Sequence, residues 1–265
     1  MDFSENYSCK YASEPQSVHF GGSRAMLTLH TGMIYTKTFS RGFVTVSESL
    51  RHDASSVIAH LKPILDEVLS EHPEIKNLHF LSDGPSTQYR NKTMFYLIAS
   101  HVSEMYPNIR TIIYNYSEAG HGKGAADGIG GSTKRILDRC VAHGDDINNF
   151  VKAVEALKQH CKNVTVRTVS EKDIEKIDKI VPSSLTAFSG TMKVHQFKWV
   201  KENPNILRFN SLSCYVCNAA ENCVHYSVGV KDLSGEKPVR ASAKKRKAPI
   251  CSSNAVKRSK RAKRS

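Results

Sequence analysis

Tyr116–Arg135 reads YSEAGHGKGAADGIGGSTKR, with six glycines and one aspartate, Asp127, four positions beyond Lys123. The apolar run Thr111–Tyr116 (TIIYNY) precedes it, and a helix-like run, Ser132–Ala142, follows. Glycine at this density between a strand and a helix lets the backbone bend sharply or approach another segment closely. An acid at the start of the following helix is placed to bind a cation or to titrate. One carboxylate alone decides nothing, so the reading turns on which other acids can meet it.

Two segments supply candidates. Leu78–Leu81 (LHFL) has strand character and runs into the turn signal Ser82-Asp83-Gly84-Pro85. Asp83 then stands at the carboxyl end of a buried strand, where ligand sites of open α/β sheets gather. The chain opens Met1-Asp2-Phe3-Ser4-Glu5. On a strand Asp2 and Glu5 face opposite sides, and Asp2 is the one assigned to the shared site. Carboxylates converging from different elements suit Mg²⁺ or Mn²⁺, hard ions that take oxygen ligands, and a metal pair clamps the attacking and leaving oxygens of a phosphate.

The order of elements is consistent with convergence. Ala25–Thr36 and Gly42–Glu48 are rich in branched and aromatic residues and read as strands. Asp53–Glu71 carries Val57, Ile58, Leu61, Ile64, Leu65, Val68 and Leu69 at helical spacing, with Asp53 as N-cap. The Asp83 strand, a helix over Arg90–Tyr106, the TIIYNY strand and the glycine segment with its helix follow. Three strands, then helix, strand, helix, strand, helix is the order of a ribonuclease-H-like domain. In that domain acids lie on the first and fourth strands and the last helix.

The segments DFSENYSCKYASEPQSVHF, LHFLSDGPSTQYRNKTMFY and NYSEAGHGKGAADGIGGSTKR resemble transposase-derived proteins of animal genomes with such a catalytic core, from Asp2 to about Tyr226. GTMKVHQ (190–196) and LSCYVC (212–217) extend the resemblance. It implies Asp2, Asp83 and Asp127 as the metal-binding acids of a two-ion Mg or Mn site, with Glu118 the rival for third place. His121 and Lys123 are candidate phosphate contacts. The resemblance also expects residues ahead of the first acid. Here Asp2 follows Met1, so a shortened first strand with its acid on a fraying end is expected.

Plainer readings stand beside these. Asp83-Gly84 and Asp127-Gly128 are ordinary turn dipeptides, and Tyr96, Leu97 and Val102 read as core. Gly120–Ala125 matches a degenerate GxGxxA dinucleotide pattern, but far from the first βα turn where that pattern works, and no GxxxxGK[ST] string is present.

The net charge of +13 is unevenly distributed. Lys231–Ser265 holds thirteen Lys or Arg against two acids, whereas the other 230 residues hold 25 basic and 23 acidic side chains. The tail lacks the apolar residues to build a core and reads as disordered. Its clusters Lys244–Lys247 (KKRK) and Lys257–Arg264 (KRSKRAKR) suit a nuclear import receptor or the phosphates of DNA, and so a nuclear location. No run approaches the ~18 apolar residues of a membrane span, and the amino terminus has no secretory apolar stretch.

Four cysteines, Cys9, Cys140, Cys161 and Cys251, are scattered. Cys214-x₂-Cys217-x₅-Cys223-x-His225 gathers four soft ligands within twelve residues, a set suited to tetrahedral Zn²⁺ although the second half is tighter than common finger spacings. Short helices over Asp146–His160 and Glu171–Ile180, a strand over Asn163–Val169 and another over Gly190–Val200 complete the chain.

The sequence therefore predicts an α/β ribonuclease-H-like core over residues 1–145, a helical and cysteine-bearing extension over 146–230, and a disordered basic tail over 231–265. Two functions follow. One is a DDE-type nuclease or transposase-like protein acting on DNA phosphodiesters with two metal ions, truncated and inactive as one outcome. The other is a domesticated, non-catalytic nuclear DNA-binding protein.

Overall fold

Alternating branched residues build the first of two sheets. In the computed structural model, which describes residues 1–13, 15, 23–118, 124–217, 223 and 225–236, β1 (Asp2–Ser8), β2 (Met26–Tyr35) and β3 (Ser40–Ser47) form an antiparallel meander. β6 (Val164–Thr168) adds parallel to β3. Side chains alternate between faces along these strands. Leu27, Leu29, Val44 and Val46 pack with Leu137, Ala153 and Leu157 on one side, and Phe3 and Phe43 pack with Val57, Ile58 and Leu61 on the other.

The second sheet runs in the order β4 (Asn77–Ser82), β5 (Thr111–Tyr116), β7 (Gln196–Val200), β8 (Ile206–Asn210), β9 (Ser227–Asp232). The β4–β5 pair is parallel and the rest are antiparallel. The sheets meet where the Met1 amino group donates to Leu81 O at 2.9 Å, joining the β1 and β4 ends. Strand pairing crosses position 145: β6 completes the first sheet, and β7, β8 and β9 complete the second.

Helix α1 (Ala54–Glu71) begins at Asp53, whose carboxylate accepts the Ser56 N–H at 2.9 Å. Helix α2 (Lys92–Tyr96) continues into a buried π-helical stretch, Leu97–Val102, and a last turn, Ser103–Met105. Helices α4 (Phe150–His160) and α5 (Glu171–Asp178) flank β6, each capped at its start, by Asn149 and Ser170.

Helix α3 corrects one expectation. It spans Ala125–Ala142, seven residues longer at its start than the run read from sequence, so Gly128, Gly130 and Gly131 lie inside a helix and not in a loop. The physical reason is close packing. A Cβ on Gly130 would stand 2.9 Å from Ser4 Oγ and 3.1 Å from Ser4 Cβ, so glycine alone lets α3 rest on β1. The strand read over Gly190–Val200 is likewise shorter, because a 3₁₀ turn at Thr191–Lys193 precedes β7. Among the described residues no helix is long and apolar enough to cross a membrane.

Candidate metal centres

Three elements bring acids to the junction of the two sheets. Asp2 opens β1, Asp83 follows the last residue of β4, and Asp127 lies in the first turn of α3. Thr31 ties two of these elements together. Its hydroxyl donates to Ala126 O in α3 at 2.9 Å and also lies 3.4 Å from Asp2 O. Phe3 points into the core shared with α1, so Asp2 and Ser4 face the α3 side of the sheet.

The electrostatics show proximity. Burial, then the Asp83 charge, and more weakly Asp127, push the Asp2 pKa up to about 6. Burial also raises Asp83, with Asp127 adding to it and the Met1 ammonium and Arg90 opposing it. The Met1 ammonium is itself pulled down by burial while all three acids pull it up. Asp83 Oδ1 is buried with no hydrogen-bond partner. An acceptor in that condition is costly unless a donor or cation meets it.

The three acids differ in what else they do. Asp127 is exposed, and its carboxylate accepts the Gly124 N–H at 3.0 Å, closing the helix start. The acids do not form a compact cluster: among the described residues, the Cys/His group below is the one set of three or more ligand atoms all within 4.8 Å. Glu118, the rival third acid, is exposed and lies 3.4 Å from His195 Nε2. It is not among the charges that shift Asp2 or Asp83. His121 and Lys123, and the basic clusters of the tail, lie outside the described residues.

Two further features were not read from the sequence. Arg90 is buried, stacks over the Tyr116 ring at 5.0 Å and donates to Met192 O at 3.1 Å. Its guanidinium occupies the space a Gly84 side chain would need, with Arg90 Nη2 only 2.2 Å from that Cβ position. Arg90 thus packs against the turn after Asp83, and a side chain at position 84 would have to displace its guanidinium. Beneath Asp2 lies a buried aromatic layer. His30 Nε2 meets Tyr89 OH at 3.1 Å, Thr45 Oγ1 meets His60 Nδ1 at 2.7 Å, and Phe3 stacks on His52 at 4.3 Å. Burial drives His60 down to about 3 and His30 well below its ordinary value, so both are neutral. A histidine in an apolar strand or helix reads as ordinary core from sequence; only the contact between distant elements reveals the layer.

The second centre is compact. The Sγ atoms of Cys214, Cys217 and Cys223 and the Nδ1 of His225 all lie within 4.8 Å of one another. Nδ1 stands 3.9, 3.3 and 3.7 Å from the three sulfurs in that order. Zn–S and Zn–N bonds of tetrahedral zinc give ligand edges of about 3.6 Å, so this Cys₃His set can hold a structural metal such as zinc. Backbone N–H groups of Cys217 and Val216 stabilise the Cys214 thiolate and bring its pKa down to about 6. Hydrogen bonding to the Cys223 thiol pushes Cys217 the other way, because clustered thiols share little negative charge without a cation. A buried amide network fixes the first ligand. Gln196 accepts the Cys214 N–H at 3.2 Å and donates to Asn115 at 2.9 Å, and Asn210 donates to Gln196 at 2.9 Å.

Fold and sites together define a mixed α/β protein of two sheets with an acidic junction and a separate thiolate–imidazole cluster. The family model described as a domain of unknown function, DUF8701, matches residues 1–213, and the chain belongs to that family. No curated protein and no solved structure matches the chain.

Proposed function

We propose that the protein is a ribonuclease-H-like, DDE-type nuclease or transposase-like protein whose acids Asp2, Asp83 and Asp127 serve phosphodiester chemistry on DNA. The observation that carries this reading is the electrostatic contact of carboxylates from three elements, Asp83 and Asp127 both raising Asp2 and Asp127 raising Asp83, with Asp83 Oδ1 buried and unpartnered. Divalent ions bound there would supply charge neutralisation and an activated oxygen nucleophile. Asp2 and Asp83 would be the inner ligands, and Asp127, more exposed, would join them by exchanging its Gly124 bond. Thr31 and Gly130 keep α3 against β1 and so keep Asp127 in reach. Arg90 packs against the turn that carries Asp83 and is itself tied to Met192 O. The cysteine centre holds zinc in this reading and braces the second sheet; the basic tail serves nuclear import and DNA retention.

Calorimetric titration with Mn²⁺ and nicking of supercoiled plasmid test the proposal. Mn²⁺ should bind the native chain, Asp83→Asn should abolish binding, and any nicking should vanish with it. Metal binding that survives Asp83→Asn would overturn the assignment. A second reading, a non-catalytic nuclear DNA-binding protein, is favoured by the Asp127–Gly124 bond, which engages the third acid in closing its own helix. It predicts DNA binding with no metal requirement and no nicking.

A further inference from the structure

The cysteine centre is built unevenly. Cys214 is buried and held by the amide network, whereas Cys217 and Cys223 are half-buried and His225 is exposed. The two accessible sulfurs lie within 4.8 Å of each other. A thiolate reacts with an oxidant according to its access, and a second thiol beside it converts the first oxidation product to a disulfide. Cys9 and Cys140 lack that access, because both are buried in the core of the first sheet.

The chain leaves the centre through a strained residue. Tyr226, next to the ligand His225, stands at φ 60°, in the left-handed region that a bulky side chain rarely adopts. It is 52% exposed, so core packing does not hold it there. Two restraints do. His225 sits against three sulfurs on one side, and Tyr226 O accepts the Ser211 N–H at 2.7 Å on the other. β9 starts at the next residue, at the edge of the sheet, and its pairing with β8 shifts register between Phe209 and Asn210. The far end of β9 is fastened independently: Lys231 Nζ donates to Thr186 O at 2.8 Å and to Glu236 at 2.7 Å. Strained backbone of this kind persists only while its surroundings impose it. Removing the His225 restraint therefore relaxes Tyr226 and frees the start of β9, while Lys231 keeps its end.

We propose that the cysteine centre is an oxidation site, at which a peroxide links Cys217 to Cys223, the metal leaves and the start of β9 is released. The inference rests on the reading that the centre holds zinc. One thiolate attacks the peroxide and becomes a sulfenic acid as the O–O bond breaks and hydroxide leaves. The other attacks the sulfenic sulfur, the S–S bond forms and a second hydroxide leaves. The two sulfurs together give up two electrons, one peroxide is reduced, and both hydroxides take up protons to become water. Cys214 and His225 then remain as ligands, too few for a four-coordinate structural zinc.

The test is stepwise addition of hydrogen peroxide to the zinc-loaded full chain. A chromogenic chelator follows the zinc, and peptide mass mapping without reduction locates the disulfide. About one equivalent of zinc should leave as the Cys217–Cys223 bond forms, and dithiothreitol should restore zinc binding. Amide exchange at 226–230 should speed up on oxidation, while 231–233 keep their rate. Tyr226→Gly, which removes the strain because glycine adopts positive φ freely, should still release zinc but show a smaller rise in exchange. An equal rise in that variant would overturn the link to β9. Zinc that stays bound through peroxide, or leaves with Cys217 and Cys223 only as sulfinic acids, would overturn the proposal alone. A chain that binds no zinc before any oxidant is added would overturn the zinc reading and this inference with it.

Discussion

Asp2 and Asp83 share one electrostatic problem: each is partly withdrawn from water, Asp2 feels the charge of Asp83, and both feel Asp127. For a carboxyl group whose folded pKa is raised, the charged form is the unfavourable one. Metal-free stability therefore rises as pH falls through about 6 and is fully gained near the ordinary value of 3.8. Metal affinity runs the other way, because protons and cations compete for the same oxygens. Mn²⁺ affinity measured between pH 5 and 8 should fall steeply below about pH 6. Asp83→Asn should raise the melting temperature of the metal-free protein by removing one of the repelling charges. A flat pH profile would mean that the acids do not act together. Asp83 and Asp2 were legible in the sequence because strand ends and turn dipeptides mark themselves locally. Arg90 was not, since nothing local says that its guanidinium folds back against Gly84.

Helix α3 is the element on which the acidic junction depends. Its Gly130 allows contact with Ser4, and Thr31 bonds its first turn from β2. Gly130→Ala places a methyl group 2.9 Å from Ser4 Oγ, so the helix must shift or Ser4 must turn. Overpacking of this kind costs about 1–3 kcal/mol, against a small gain in helix propensity of about 1 kcal/mol. The expected result is a net loss in urea denaturation together with weaker Mn²⁺ binding; Ser4→Ala in the same chain should restore part of both. The cysteine centre is the matching element of the second sheet. Cys217→Ser should remove about one equivalent of zinc, measurable by atomic absorption, and raise proteolytic sensitivity after β8. Unchanged metal content would discard the site. The glycines of α3 advertised a close approach, and the sequence reading of a loop failed because glycine lowers helix propensity without forbidding a helix that tertiary contact stabilises.

For the whole molecule, charge and fold are separate. Nearly all of the net charge belongs to Lys231–Ser265, while the remaining 230 residues are almost balanced. A fluorescent reporter fused to residues 240–265 should accumulate in nuclei, and alanine at Lys244–Lys247, Lys257 and Arg258 should disperse it. Unaltered distribution in the mutant would remove the import reading. The two sheets divide the described residues differently from the sequence reading, which placed a boundary at 145. Strands on both sides of that position hydrogen-bond to each other, so 146–236 completes the two sheets that the earlier strands begin.

By itself the sequence determined what depends on neighbours along the chain. The β5 limits Thr111–Tyr116, the Asp53 cap of α1 and the ligand set Cys214, Cys217, Cys223 and His225 were all visible in local patterns. These follow from alternation, capping chemistry and ligand type, which act over a few residues. Tertiary structure alone decided the neutral His30–Tyr89 and His60–Thr45 pairs and the packing of Arg90 against the turn after Asp83. Each joins residues from different elements, and each matters through burial and charge. Those two quantities exist only once the sheets have packed.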